Sequence, residues 1–312
     1  MRRVAKSIAN LVGHTPLLEI VRYNTIHRTQ AKIIVKLESF NPLSSVKDRV
    51  ALALIEDGEE KGLLKPDTTI VEATTGNMGI GLAAIAATRG YRIILTIPNS
   101  CCEESKSLLK ALGAEIVLTD GNLGIQGAID KSVEIAKNME NVYMPQQFGN
   151  PANFEIHQKT TALEIIGDTE GKIDVFVSGI GSGGTITGVG RALKSILKNV
   201  EVVGVEPKES PLLTKGKTGV HRIHGLGAGF LPDVLDKSIV DKIYHIDYEH
   251  SVMTVQQLAK YEGILVGISS GASLAVATQL AKKKEYKDKV ILVILPDTGE
   301  RYLSTSLFET DP

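Results

Sequence analysis

Short runs of β-branched and aliphatic residues alternate along the chain with longer stretches in which apolar positions recur every three to four residues. Six short runs read as strands, at 69–72, 92–97, 115–118, 175–178, 200–205 and 290–295, and helical periodicity fills 79–88, 103–112, 126–138, 187–197 and 270–284. Strand–helix alternation of this kind covers both faces of a largely parallel sheet. The pattern therefore predicts an α/β fold. The strands form two groups on either side of 146–153, which predicts two α/β halves, 1–150 and 151–312.

Ligands of such sheets sit beyond the carboxyl ends of the strands, so the loops there carry the candidate chemistry. After 175–178 comes Ser178-Gly179-Ile180-Gly181-Ser182-Gly183-Gly184-Thr185, opening a helix. Its glycines allow close backbone approach. Successive N–H groups at a helix N-terminus, joined by the hydroxyls of Ser182 and Thr185, make an anion site suited to a phosphate. Gly179, Gly181 and Gly184 also fit a dinucleotide fingerprint, with Glu206 after the next strand as the ribose-binding acid. This loop alone does not separate NAD from another phosphate-bearing cofactor.

The stretch from Asn41 to Arg49 predicts a helix starting near Val46 and capped by Ser44 or Ser45. Lys47 then lies in the first turn, where the helix dipole disfavours a cation and lowers an amine's pKa, as Schiff-base chemistry requires. Taken alone, the same pattern fits a solvent-exposed lysine. Glu72-Ala73-Thr74-Thr75-Gly76-Asn77-Met78-Gly79 joins a strand to a helix and offers Thr74, Thr75 and Asn77 as donors for a carboxylate, or as plain caps. In Gly267-Ile268-Ser269-Ser270-Gly271-Ala272, Ser269 or Ser270 reads as a helix N-cap.

Lys and Arg number 35 against 36 Asp and Glu, which gives no electrostatic case for a nucleic-acid partner or an anionic membrane. The two cysteines, Cys101 and Cys102, are adjacent; neighbours rarely reach disulfide geometry, and no second pair or His cluster completes a zinc site. A reduced, cytoplasmic protein without a metal is the expectation. The first fourteen residues lack the apolar stretch of a signal peptide, and the run at 290–295 is too short to span a bilayer.

Taken in order, these loops resemble the cysteine synthase family of pyridoxal 5′-phosphate (PLP) enzymes. The resemblance begins at Gly13-His14-Thr15-Pro16-Leu17 and runs through Asn41-Pro42, Lys47-Asp48-Arg49 and the Thr74 loop. It continues through Gln146-Gln147-Phe148, Asn150-Pro151-Ala152-Asn153, the glycine-rich loop, Gly225-Leu226-Gly227-Ala228-Gly229, the Ser269 loop and Gly299-Glu300-Arg301-Tyr302-Leu303-Ser304. It implies the tryptophan synthase β-like architecture of PLP fold type II. The smaller, mobile substrate-binding domain would lie within 1–150 and the larger phosphate-binding domain within 151–312. It also implies a homodimer. Lys47 would carry the cofactor and shuttle the substrate's α-proton, and Asn77 would meet the cofactor's ring oxygen. Gly181, Ser182, Gly183, Gly184 and Thr185 would hold the phosphate, and Ser269 would face the ring nitrogen. Thr74, Thr75, Asn77, Met78, Gln147 and Gly227 would bind substrate.

The implied reaction is β-elimination or β-replacement on a small L-amino acid, through an α-aminoacrylate, with a small nucleophile as second reactant. Two departures bear on the donor. Cysteine synthases usually read T-S-G-N-T where this chain has Thr74-Thr75-Gly76-Asn77-Met78, and more often Thr where it has Ser182. Both changes resemble β-cyanoalanine synthases, which take L-cysteine and release sulfide. The expectation is L-cysteine as donor, hydrogen sulfide released, and serine, cyanoalanine or a thioether such as lanthionine as product. The alternatives are an O-acetylserine sulfhydrylase in which both changes are drift and, more distantly, an NAD-binding oxidoreductase.

Overall fold

The computed structural model describes residues 4–309; Met1 to Arg3, part of the stretch read above for a signal peptide, and the last three residues lie outside them. Ten strands form two sheets. They are β1 (Leu17–Glu19), β2 (Lys32–Leu37), β3 (Thr69–Ala73), β4 (Arg92–Pro98), β5 (Glu115–Thr119), β6 (Val142–Tyr143), β7 (Val175–Gly179), β8 (Glu201–Pro207), β9 (Lys242–Ile246) and β10 (Val290–Leu295). The larger sheet has the order β1-β2-β10-β7-β8-β9 and the smaller β5-β4-β3-β6. Every pairing is parallel except β1 with β2. The expected α/β architecture of largely parallel sheets is what forms.

The six expected strands are present within two residues of their expected ends, and four more join them. β1 and β6 are too short to show a period. β2 was obscured by the lysines flanking Ile33–Val35, and β9 is an edge strand with only one fully buried residue. β1 and β2 come from the N-terminal half but are built into the larger sheet, where β2 runs parallel to β10 from Lys32 to Leu37. The dividing line expected at residue 150 is therefore crossed by the first two strands.

Strands buried on both faces are apolar throughout, as β10 (VILVIL) is. The helix Ile268–Ala281 packs against this sheet and is buried all round, with only Gln279 left out of its buried set. In the smaller sheet the helix Asn77–Arg89 packs on the helix Lys47–Glu60. A Cβ on Gly81 would stand 2.9 Å from Ala51 Cβ and 3.2 Å from the Lys47 carbonyl oxygen, so glycine here sets how closely the two helices approach beside Lys47. Among the described residues, no helix is long and apolar enough to cross a membrane.

One polar cluster ties the Lys47 helix to the larger sheet. Arg49, with no exposed side-chain surface, forms paired hydrogen bonds to Glu38 (Nε–Oε2 2.8 Å, Nη2–Oε1 3.0 Å) and to Glu164 (Nη1–Oε1 2.6 Å, Nη2–Oε2 2.7 Å). Lys36, from β2, reaches Glu164 Oε2 at 2.9 Å and the Thr15 carbonyl at 2.8 Å. Two cations and two carboxylates thus balance in the interior. Burial pushes the Glu164 carboxyl up, but hydrogen bonds and charge from Arg49 and Lys36 outweigh it and hold it well below the usual carboxylate range. Removing one partner of such a set strands the others without solvent. Arg49→Met is expected to lower unfolding free energy by about 3–5 kcal/mol, whereas Lys61→Met, which breaks an exposed pair with Asp57, should lower it by less than about 1 kcal/mol. Urea denaturation of the two variants makes the comparison, and equal losses would contradict it.

Candidate active site

Lys47 is the first residue of its helix, and its backbone N–H donates to Ser45 Oγ at 3.2 Å. Neither serine expected as the cap holds that position, which falls to Val46: Ser45 lies one residue earlier and meets the Lys47 N–H from there, and Ser44 takes a left-handed backbone, with φ 59°, that turns the chain. The N-terminus of this helix is framed by the segment following β10. Val46 N–H donates to the Pro296 carbonyl at 2.8 Å, and Ser45 pairs with Asp297 as an antiparallel bridge. The Lys47 side chain is densely surrounded by protein yet keeps some accessible surface. Desolvation lowers its amine from the ordinary 10.5 to about 8. The helix dipole invoked from the sequence acts in the same direction, but loss of water is the larger effect. Asp48, its neighbour, is turned away to the Leu43 N–H (2.6 Å) and the Ser45 hydroxyl (3.2 Å).

Lys47 Nζ lies 3.4 Å from Ser182 Oγ, in the glycine-rich loop between β7 and the helix Gly184–Ile196. A Cβ on Gly181 would come within 2.2 Å of the Gly225 carbonyl oxygen, so only glycine lets the 225–229 loop press against this turn. Gly183, Gly184 and Thr185 open the helix N-terminus. Gly227 is tied in by its N–H to the Ile180 carbonyl at 2.9 Å, and its own carbonyl meets His221 Nε2 at 3.1 Å. Ser269, like Ser270, is not a cap: Gly267 holds that position and Ser269 lies inside the helix. Its hydroxyl has no protein hydrogen bond among the described residues, and it stands 3.6 Å from where a Gly225 Cβ would be. It is free to meet a ligand.

The loop after β3 divides its residues between inside and outside. Thr74 is buried, and its Oγ1 accepts from the N–H groups of Gly76 (3.1 Å) and Gly79 (3.0 Å), capping the Asn77 helix from before its start. Thr75 is exposed. Met78 is 3% exposed and packs among Ile80, Leu82, Leu95 and Leu109, so any influence it has on a ligand passes through the loop behind which it sits. Gln147 Nε2 donates to the Ala73 carbonyl at 3.1 Å, which holds it at the end of β3.

Three residues given no role from the sequence complete the set. Asn153 Nδ2 donates to Ser182 Oγ (3.2 Å) and to the Gln147 carbonyl (2.6 Å). His157 sits fully buried in a widened, π-type turn between the helices Ala152–Ile156 and Ala162–Thr169, a distortion that often marks a functional position. Its Nδ1 meets Thr161 Oγ1 at 2.9 Å and its Nε2 meets Thr185 Oγ1 at 3.3 Å. Burial, then the charges of Arg49 and Lys47, push it well below the ordinary histidine value, so it is neutral. Asp297, 1% exposed, accepts from Asn77 Nδ2 at 2.7 Å. Asn153 and Asp297 lay in the stretches that carried the family resemblance or beside them, but only their contacts show what they do. Glu206, the acid of the dinucleotide reading, is taken up by the N–H groups of Leu213 (2.9 Å) and Thr214 (3.2 Å) and by the Thr214 hydroxyl (2.5 Å). It is a clamp for the turn after β8 and has no free face for a ribose.

With this geometry in place, comparison with known proteins is specific. The family model described as "Pyridoxal-phosphate dependent enzyme" matches residues 8–297. Cysteine synthase A of Escherichia coli K12 is 47% identical over 317 aligned positions, covering 99% of this chain and 97% of that protein. Among solved structures, cysteine synthase from Entamoeba histolytica superposes with a TM-score of 0.95 at 40% identity, covering 100% of this chain and 93% of the other. A hydrogen sulfide-producing enzyme from Fusobacterium nucleatum gives 0.93 at 41% identity, covering 96% and 100%.

The amine's pKa has a measurable consequence. Because the folded value, about 8, lies below the 10.5 of an unfolded lysine, the unfolded chain binds more protons between the two. Stability of the cofactor-free protein should therefore rise with pH across about 8 to 10.5 and carry its full penalty below 8. Lys47→Met should be more stable than wild type at pH 7, with the gap closing toward pH 10. Urea midpoints for both proteins across that range test this, and a gap independent of pH would contradict it.

Proposed function

The chain belongs to the pyridoxal-phosphate dependent enzyme family, on its cysteine synthase branch, and on that premise we propose that it catalyses β-elimination and β-replacement on a small L-amino acid, taking L-cysteine as donor and releasing hydrogen sulfide. The observation that carries the chemistry is the desolvated Lys47 amine, 3.4 Å from the Ser182 hydroxyl at the mouth of a glycine-rich helix N-terminus. An amine, a phosphate cradle and a neutral hydroxyl are the donor set that PLP needs at its aldehyde, its phosphate and its ring nitrogen, so the residues fit the cofactor.

When bound, PLP supplies the electron sink that lets a proton leave the substrate α-carbon and a group leave the β-carbon. The chain's own residues do the rest. Gly181, Ser182, Gly183, Gly184 and Thr185 hold the phosphate through N–H groups and hydroxyls. His157, neutral and fixed by Thr161, sets the direction of the Thr185 hydroxyl. Ser269 offers a hydroxyl rather than a carboxylate to the ring nitrogen, which leaves that nitrogen less protonated and favours prompt loss of the β-group. Lys47 Nζ, neutral in useful amounts near pH 8, takes the α-proton and later returns it. Thr75 and the exposed rim of the Thr74–Asn77 loop, with Gln147 and Gly227 behind, bind the substrate carboxylate. Movement of the smaller sheet unit over it would exclude water. A cytoplasmic homodimer is part of the same reading, supported by the two free cysteines and by apolar side chains left exposed, such as Phe40 and Leu163.

L-Cysteine is favoured as donor by Met78, which changes what stands behind the carboxylate loop, and by Ser182, the hydroxyl nearest Lys47. Likeness to the Fusobacterium sulfide-producing enzyme points the same way. The second reading, O-acetylserine with sulfide giving cysteine, is favoured by the relatives named cysteine synthase. PLP-loaded protein given L-cysteine alone should release sulfide rapidly, with serine or lanthionine identified by mass spectrometry. Slow release beside fast cysteine formation from O-acetylserine and sulfide would select the second reading. Met78→Thr with Ser182→Thr should move the ratio of kcat/KM values toward O-acetylserine; an unchanged ratio would remove both residues from donor choice.

A further inference from the structure

We propose that Asp297 and Arg301 lock the Asn77 side-chain amide in one orientation, so that one of its N–H bonds is always kept for the ring oxygen of the cofactor. The proposal rests on the reading of Asn77 as a cofactor contact and gives that contact its cause. Asn77 Nδ2 donates to Asp297 Oδ2 at 2.7 Å, and Arg301 Nη1 donates to Asn77 Oδ1. The Tyr302 hydroxyl donates to the same Asp297 Oδ2 at 2.5 Å. A carboxylate oxygen with two donors can only accept, and a guanidinium can only donate. Turning the Asn77 amide over would set its carbonyl against the carboxylate and its NH2 against the guanidinium, losing both bonds and creating two like-polarity contacts. One orientation therefore survives. In it one N–H belongs to Asp297, the oxygen belongs to Arg301, and the second N–H has no protein acceptor among the described residues. The ring oxygen of PLP is an acceptor, so this remaining N–H is what it requires.

The same two residues hold the ground on which Lys47 stands. Arg301 Nη2 donates to the Leu43 carbonyl, and Asp297 pairs through its backbone with Ser45, whose hydroxyl receives the Lys47 N–H. Asp297 is buried to 1% exposure, and a Cβ on Gly267 would come within 2.3 Å of its Oδ1, so the carboxylate is packed in place. One short segment after β10 thus registers Asn77, on the smaller sheet unit, to the start of the Lys47 helix. Asp297 and Arg301 are positioning residues: they act on the cofactor through Asn77.

The test compares PLP-loaded wild type with Asn77→Ala, Asp297→Asn and the double variant, reading visible absorption of the bound cofactor and its retention in equilibrium dialysis. Asparagine at 297 can either donate or accept, so it no longer opposes the turned-over Asn77 amide, and only Arg301 is left to favour one orientation. Asp297→Asn should shift the absorption band in the same direction as Asn77→Ala and weaken retention about tenfold, while the double variant should be no worse than Asn77→Ala alone. A wild-type band in Asp297→Asn beside a shifted one in Asn77→Ala would overturn the proposal and leave the Asn77 contact standing, as would additive losses in the double variant. A wild-type band in Asn77→Ala would overturn the Asn77 contact itself, and the proposal with it. If Asp297→Asn does not fold, Asp297→Ser, whose hydroxyl is equally ambivalent, takes its place in the same comparison.

Discussion

The site depends on an amine kept from water without a counter-charge. Three cationic side chains, Lys36, Lys47 and Arg49, cluster where the two sheets meet, and the protein treats them in opposite ways. Lys36 and Arg49 have their charges balanced by Glu38 and Glu164 in a closed set of hydrogen bonds. Lys47, two residues from Arg49 on the same helical turn, has no carboxylate within ion-pair distance among the described residues and meets only a serine hydroxyl. The first arrangement anchors the helix; the second leaves its leading side chain an uncompensated amine, as the nucleophile and base proposed for it must be. The balanced cluster thus anchors the helix that carries the unbalanced amine.

Around that amine the two sheets are joined by a circuit of polar contacts. Lys47 meets Ser182, Ser182 meets Asn153, Asn153 meets the Gln147 backbone, and the Gln147 side chain closes on the end of β3. From the loop that follows β3, Asn77 returns through Asp297 to the segment beside Ser45. Each link is one hydrogen bond, individually modest, and several cross between the units. Such a seam holds the two units in register, and the closure proposed for the smaller unit would require some of these bonds to exchange partners.

The sequence disclosed strongly what depends on local pattern and weakly what depends on contact. β3, β4, β7, β8 and β10 were legible because strands buried on both faces are largely apolar, and β5, an edge strand with no fully buried residue, because Ile116–Leu118 still makes a short aliphatic run. β2 was hidden by Lys36, a residue whose presence in a buried strand makes sense only once Glu164, from the opposite half of the chain, stands beside it. Lys47 and the glycine-rich loop were readable as chemistry because a helix start imposes geometry on the residues that occupy it. Whether Thr74 faced ligand or backbone was not readable, since the same hydroxyl at the same spacing can cap a helix or bind a carboxylate; here it caps. Met78 shows the same limit: as a departure from the family pattern it drew attention, yet its side chain lies in the core. His157 and Asp297 gave no signal, because their meaning lies in partners distant along the chain.

The most direct test of the account is to find which side chain carries the cofactor. Holoenzyme is reduced with borohydride, digested, and the peptide bearing the pyridoxyl mass is sequenced. Modification at Lys47 alone is expected, with none in Lys47→Ala. Modification at another lysine, or undiminished labelling of the variant, would contradict the claim that this amine is where the chemistry is held.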